Sequence, residues 1–161
     1  MIGLCGASGR IGKPLYWYLK DQGEDVLGTY CNNRGMSLVK YDLRHDSLDF
    51  FDECDYVIVA AAYCNTPFCE NNKMESFLLN VWRTSKLLSH LSMKQIPTLF
   101  ISSVAAKENL DTVYGKHKLQ IEKYIKDNYL DIDYIRPGKT GKHNVQKLCK
   151  EIYEYIESGR R

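Results

Sequence analysis

"MIGLCGASGRIG" (residues 1–12) joins a short apolar run to three glycines spaced G-x-x-G-x-x-G: Gly6, Gly9 and Gly12. Immediately after, Ile11, Leu15, Tyr18 and Leu19 recur at helical spacing, with Pro14 tolerable in the first turn. The stretch reads as strand, tight loop, helix. Glycine at these positions permits the turn, lets backbone N–H groups approach a pyrophosphate, and lets the helix pack close to the sheet. The helix N-terminus adds partial positive charge where phosphates would sit. Ser8, Arg10 and Ile11 complete this candidate phosphate loop.

The same alternation continues along the chain. "DVLGTY" (25–30) reads as a second strand and "SLVKY" (37–41) as a third. "DYVIVAAA" (55–62) is a continuous apolar run of the kind buried in a parallel sheet. Residues 70–93 read as one long helix, and "PTLFISS" (97–103) as a fifth strand. "VYGKHK" (113–118) opens a helix running to about Asp127 through Ile121 and Ile125, and "DIDYIRP" (131–137) is a sixth strand. The last helix, "NVQKLCKEIYEYIESG" (144–159), carries Val145, Leu148, Ile152 and Ile156 as one stripe. Strands alternating with helices imply right-handed βαβ units, hence a doubly wound parallel sheet in an α/β/α Rossmann fold. With no repeat, linker or low-complexity segment, residues 1–161 are expected to form one dinucleotide-binding domain.

The 161 residues suffice for one core, and 44% hydrophobic with 26% charged residues fits a water-soluble domain. A net charge of +2 gives no electrostatic case for nucleic acid or an anionic membrane. No apolar run reaches membrane-spanning length, and the first residues read as a strand rather than a leader, so a cytoplasmic protein is expected. Six scattered cysteines without a C-x-x-C pair argue against a disulfide framework, and with four unclustered histidines no metal site is expected.

A fold of this kind that prefers NAD carries Asp or Glu about 20 residues beyond the glycines. Here that region reads Tyr30, Cys31, Asn32, Asn33, Arg34. Arg34, with Arg10, could instead pair a 2′-phosphate, so NADP is expected over NAD. A solvated loop arginine is the alternative reading of Arg34. Tyr114 and Lys118, four residues apart, share one helix face. Alone, that pair fits the wet edge of an amphipathic helix as well as an acid/base centre.

Taken in order, these motifs resemble the short-chain dehydrogenase/reductase superfamily, in its extended NAD-dependent epimerase/dehydratase branch. "LCGASGRIG" resembles that branch's glycine loop, "YDLRHD" its acidic strand-end motif, and "VIVAAAY" the strand beside the cofactor. "CENNKMESFLLNVWRTSKLL" is similar to its asparagine-bearing helix, "FISS" and "YGKHKLQIE" to its serine strand and tyrosine helix, and "IRPG" to the next strand end. "VLGTY…GMSLVKYDLRHD" and Cys69-Glu70 look most like dTDP-4-dehydrorhamnose reductase-like proteins.

The resemblance implies an NAD(P)-dependent oxidoreductase acting on a nucleotide sugar or related carbonyl compound, or an epimerase or dehydratase using the same residues. It implies Tyr114 as acid/base, Lys118 as holder of the nicotinamide ribose that lowers the tyrosine pKa, Ser103 on the substrate oxygen, and Asn80 as a structural and relay residue. Asp42 and Leu43, Ala60, Ala61 and Ala62, and Arg136 and Pro137 would join the loop in holding the cofactor. A free tyrosine titrates near 10, so work near neutrality needs about 3 units, or about 4 kcal/mol. An ammonium about 4 Å away supplies roughly that at an effective dielectric of 20.

Two departures bear on function. Ser103 and Tyr114 are only 11 residues apart (114 − 103), and 23 residues follow Gly138 (161 − 138). The branch's substrate region has no room there, so an open cleft edged by Ser103, Tyr114 and Gly138 is expected, completed by a partner chain or a dimer mate. A non-catalytic NAD(P)-binding regulatory module is the rival reading. A homodimer is expected because, in the family, the asparagine and tyrosine helices pair with their copies. Here those helices carry Phe77, Trp82, Leu87, Leu88 and Tyr124.

Overall fold

A computed structural model describes residues 1–35, 37–138 and 142–159. Six parallel strands form one sheet in the order β3-β2-β1-β4-β5-β6. They are β1 Ile2–Cys5, β2 Val26–Tyr30, β3 Val39–Lys40, β4 Tyr56–Val59, β5 Thr98–Ile101 and β6 Asp133–Ile135. Successive side chains of a strand face opposite ways, and here both faces are apolar. Cys5, Val57, Val59 and Phe100 point into a core closed by Leu87, Leu88, Leu91, Ile121 and Ile125. Ile2, Leu4, Ile58, Leu99 and Ile101 point into the other, closed by Leu15, Leu19, Ile152 and Ile156. The α/β/α Rossmann layering follows from this two-sided burial.

The helices are α1 Gly12–Asp21, α2 Thr66–Asn71, α3 Lys73–Phe77, α4 Thr84–Met93, α5 Ala105–Glu108, α6 Val113–Asp127 and α7 Lys142–Gly159. α7 packs beside α1; of the expected stripe Val145, Ile152 and Ile156 are buried and Leu148 half-buried, and Cys149 is buried beside them. The single helix expected over 70–93 is divided. Asn65 caps an earlier start by accepting from the Phe68 N–H at 2.9 Å, and Asn72 leaves helical dihedrals (φ −127°, ψ 54°). From Lys73 the chain is helical to Met93, but Leu78–Arg83 winds as a π-helix. The sequence pattern showed neither interruption. Leu87 and Leu88 belong to the core rather than to a surplus face; Phe77 (37% exposed) and Trp82 (46%) do face outward. Tyr124 is tied to Ser89, hydroxyl to hydroxyl, at 2.7 Å.

Candidate functional site

The strand order reverses between β1 and β4, and the carboxyl ends of adjacent strands diverge at such a point. A cleft of about 350 Å³ opens there. Gly6 bends the chain at φ +91°, and a Cβ on it would stand 2.7 Å from the Ala61 nitrogen. A Cβ on Gly12 would stand 2.1 Å from the Gly6 carbonyl oxygen, so α1 begins hard against the turn. The Gly6 N–H donates to Thr29 Oγ1 and the Gly9 N–H to the Gly6 carbonyl, each at 3.0 Å. This turn presents Ser8, Gly9, Arg10 and Ile11 to the cleft; Gly12 lies behind it.

Beyond β2, Cys31, Asn32 and Asn33 line the cleft. Arg34 does not; it is an exposed loop residue, as in the alternative reading of the sequence. Arg10 does line the cleft. Asp42 and Leu43 also line the cleft, but Asp42 is not alone. Arg44 folds back on it, Nε to Oδ1 at 2.9 Å and Nη2 to Oδ2 at 2.7 Å, and holds the carboxyl down at about 2. The same guanidinium donates to Tyr63 Oη at 2.8 Å and to Glu75 Oε1 at 3.2 Å. Arg44 and Tyr63 are cleft residues that pattern reading missed. "YDLRHD" contained the arginine, and no local signal tells that its side chain turns back.

On the opposite wall the end of β4 supplies Ala60, Ala61, Ala62 and Cys64, the end of β5 supplies Ser103, and α6 supplies Tyr114 and Lys118. α6 starts where it does because Thr112 Oγ1 accepts from the Gly115 N–H at 3.0 Å and Glu70 Oε1 from the Val113 N–H at 2.6 Å. Ser103, Tyr114 and Lys118 therefore share one cavity. Lys118 is only 3% exposed; its Nζ donates to the Ile101 carbonyl at 2.8 Å and lies 4.5 Å from the Phe100 ring centre. Burial pulls its pKa down to about 8, against the opposing pull of Cys64 and Glu122. Burial pushes Tyr114 up to about 12; Cys64 adds to this, and Ser103 works against it. The expectation that Lys118 lowers Tyr114 is not met. Desolvation of the phenol dominates, and the ammonium is turned toward Ile101, 5.9 Å from the tyrosine ring centre.

Two further assignments move. Asn80 is buried behind the cleft, where its Oδ1 accepts from the Tyr63 N–H and its Nδ2 donates to the Tyr63 carbonyl, both at 2.8 Å. Its amide braces the loop after β4, so the relay part of its role has no geometric support. Arg136 points away from the cleft and grips Glu122, Nε to Oε1 at 2.9 Å and Nη2 to Oε2 at 2.5 Å. Pro137 and Gly138 do line the cleft, and among the described residues none after Gly138 does.

The profile of the NAD dependent epimerase/dehydratase family matches residues 2–154. The chain belongs to this family. Among solved structures it is similar to a hypothetical dTDP-4-dehydrorhamnose reductase from Sulfolobus tokodaii, with TM-score 0.74 and 22% identity over 85% of this chain and 55% of that one. It is also similar to MoeE5 in complex with UDP-glucuronic acid and NAD (TM-score 0.71, 19% identity, 83% and 52% coverage). A third is the dTDP-4-dehydrorhamnose reductase from Bacillus anthracis in complex with NADP (TM-score 0.67, 17% identity, 88% and 55%). At such identities these likenesses bear on the fold. The chain spans about half the length of these relatives. No curated protein matches it. At one end of the cleft Gly6 and Gly12 leave no room for a side chain against neighbouring backbone, and at the other Lys118 Nζ, bonded to the Ile101 carbonyl, has further donors.

Proposed function

We propose that this chain binds NADP and acts as an oxidoreductase of the short-chain type on a nucleotide sugar or related carbonyl compound. The observation that supports this reading is the convergence of Ser103, Tyr114 and Lys118 on the cleft whose other end is the glycine turn. Ser8, Gly9, Arg10 and Ile11 would hold the pyrophosphate and the 2′-phosphate, with Asp42 and Leu43 at the adenine. Ala60 to Ala62 and Pro137 would flank the cofactor, and Lys118 its ribose. When bound, the nicotinamide supplies or accepts a hydride. Ser103 donates a hydrogen bond to the substrate oxygen, and Tyr114 exchanges a proton with it. A phenol held at about 12 keeps its proton at neutral pH, the form from which reduction of a carbonyl starts, and would give that proton up less readily than a free tyrosine. Epimerase or dehydratase chemistry uses the same groups.

A non-catalytic binding module is the second reading, favoured by the absence of any described residue after Gly138 from the cleft. A partner chain or a second copy could close the cleft. Oxidation of bound NADPH by added dTDP-4-keto sugars, lost in Tyr114→Phe while NADPH still binds, tests the enzyme reading. NADPH binding without turnover, alone or with partner present, leaves the module. Failure to bind either cofactor overturns both.

A further inference from the structure

At the end of the cleft beyond β2, Arg44 lines the wall with its side chain 20% exposed. Its Nε donates to Asp42 Oδ1 at 2.9 Å, and Nη2 reaches Asp42 Oδ2 at 2.7 Å and Cys31 Sγ at 3.7 Å. Nη1 reaches Tyr63 Oη at 2.8 Å and Glu75 Oε1 at 3.2 Å. A guanidinium carries five N–H groups, all directed in its plane, and these contacts engage each of them. Cys31, Asp42 and Tyr63 are themselves cleft residues. The plane therefore lies in the wall, between the end of β2 and the loops after β3 and β4, and what it offers a bound molecule is its flat face. Asp42 is engaged by the same group: Oδ1 also accepts from the Arg44 backbone N–H at 3.0 Å. The loop beneath is held firmly. The Asp42 N–H donates to Asp46 Oδ2 at 2.5 Å, and Arg83 of the π-helix holds the Leu43 carbonyl at 2.6 Å and the Asp46 carbonyl at 2.5 Å.

We infer that Arg44 is a specificity-determining residue of this cleft: the purine base of the cofactor stacks on its guanidinium face, and Asp42, turned to Arg44, does not read the edge of that base. The inference rests on the reading, proposed above, that the cleft holds an NADP-type dinucleotide. A guanidinium plane stacks on aromatic rings, and proteins hold unpaired nucleobases in the same way. A lysine here would offer only a point charge. The pairing of Arg44 also rules out the other common use of an arginine at this end. Two carboxylates, Asp42 and Glu75, already balance its charge, and with every N–H engaged it has no fork for a phosphate. The 2′-phosphate is left to Arg10, in the glycine turn. Tyr63 does not compete for the base. Its ring lies against Phe68, centroids 4.6 Å apart, and its hydroxyl donates to Glu75 Oε1 at 2.7 Å, so it braces Arg44 from the side.

The test uses a base with the same ring and a different edge. Reduced nicotinamide hypoxanthine dinucleotide phosphate carries a carbonyl in place of the adenine amino group and keeps the purine plane. Wild type should bind it within about twofold of NADPH, because stacking depends on the ring and not on its edge. Arg44→Lys, which keeps the charge and loses the plane, should weaken both cofactors by the same factor, about tenfold. The preference for NADPH over NADH should be unchanged in that variant, a pattern that a phosphate anchor would not give. In wild type the Arg44 Nε–H resonance, followed by ¹⁵N NMR, should move upfield at saturation with adenosine 2′,5′-bisphosphate, as a proton beneath an aromatic ring does. A hypoxanthine cofactor bound about tenfold more weakly than NADPH shows that the edge is read and overturns the inference. Wild-type affinity in Arg44→Lys overturns it too, as does a weakening that falls on NADPH and spares NADH. If that variant does not fold, the resonance decides, and an Nε–H unmoved at saturation overturns the inference. Affinities and resonance as described, without turnover of any carbonyl substrate, support the role of Arg44 and remove the proposed oxidoreductase. A protein that binds no adenine nucleotide overturns both.

Discussion

Asn80 and Tyr63 exchange two hydrogen bonds, side-chain amide to backbone N–H and to backbone carbonyl, each at 2.8 Å. The amide does what a neighbouring strand would do, just after β4 has ended at Val59. Without it, one donor and one acceptor on a part-buried backbone lose their partner, at about 1–3 kcal/mol each. Asn80→Ala should therefore lower stability by roughly 2–4 kcal/mol, or about 5–12 °C in Tm for a chain of this size. Asn80→Asp, which buries a carboxylate against the Tyr63 carbonyl, should cost at least as much. Thermal denaturation followed by circular dichroism checks this, and an unchanged melting temperature in Asn80→Ala would show that the loop does not depend on the amide.

How much of this was legible beforehand depended on the range of each signal. The glycine spacing, the apolar run 55–62 and the stripe on α7 are local patterns, and each became the element it implied. Tyr114 and Lys118 were readable because four residues make one helical turn. Where the side chains of Arg34 and Arg136 point was not legible, because residues near a strand end say nothing of where a long side chain goes. Arg136 turns to a carboxylate 14 positions earlier, and Arg34 stays in solvent. The state of Tyr114 was misread for a related reason. A charge four residues away suggests a low pKa, but the burial that opposes it is a property of the folded cleft.

Cofactor choice should follow Arg10, not Arg34. Arg10 lies on the cleft wall in the glycine turn, while Arg34 lies outside it, and no carboxylate stands at the end of β2. Arg10→Ala should weaken NADPH about tenfold, the equivalent of about 1.4 kcal/mol, and leave NADH nearly untouched. Arg34→Ala should change neither by more than about twofold. Fluorescence titration of both reduced cofactors decides the matter. The opposite ranking of the two arginines would restore the loop residue.

Phe77 and Trp82 stand exposed on the side of the molecule away from α1 and α7. If a second copy covers them, Trp82→Glu should convert a dimer to a monomer at micromolar concentration, because a charge would be buried in an apolar interface. Light scattering on both proteins tests this. A wild-type protein that is already monomeric removes the dimer.

Tyr114 should not ionise in the apoprotein below about pH 10, since burial holds it at about 12. Ultraviolet difference titration of wild type against Tyr114→Phe isolates its signal. A tyrosinate appearing near pH 7 to 8 in that difference would mean that Lys118 governs the phenol after all.

Lys118→Met sets function against stability. The folded-state pKa of Lys118, about 8, lies below the ordinary lysine value of 10.5. Below pH 8 both folded and unfolded chains carry the proton, and the folded state bears the full desolvation cost of about 3 kcal/mol. Between pH 8 and 10.5 the unfolded chain holds more protons, so this contribution to stability rises with pH and the penalty fades. Methionine fills similar space without a charge. It gives up the bond to the Ile101 carbonyl and the approach to the Phe100 ring, together about 1–2 kcal/mol. Lys118→Met should then be more stable than wild type by about 1–2 kcal/mol at pH 7 and should lose that advantage by about pH 10. It should also bind NADPH far more weakly, since the buried donor at that end of the cleft is gone. Urea denaturation at pH 7 and pH 10, with cofactor titration at pH 7, measures both halves. The same stability difference at the two pH values would show that the lysine carries no buried charge at neutrality, and with it would go the electrostatic argument for this residue in the site.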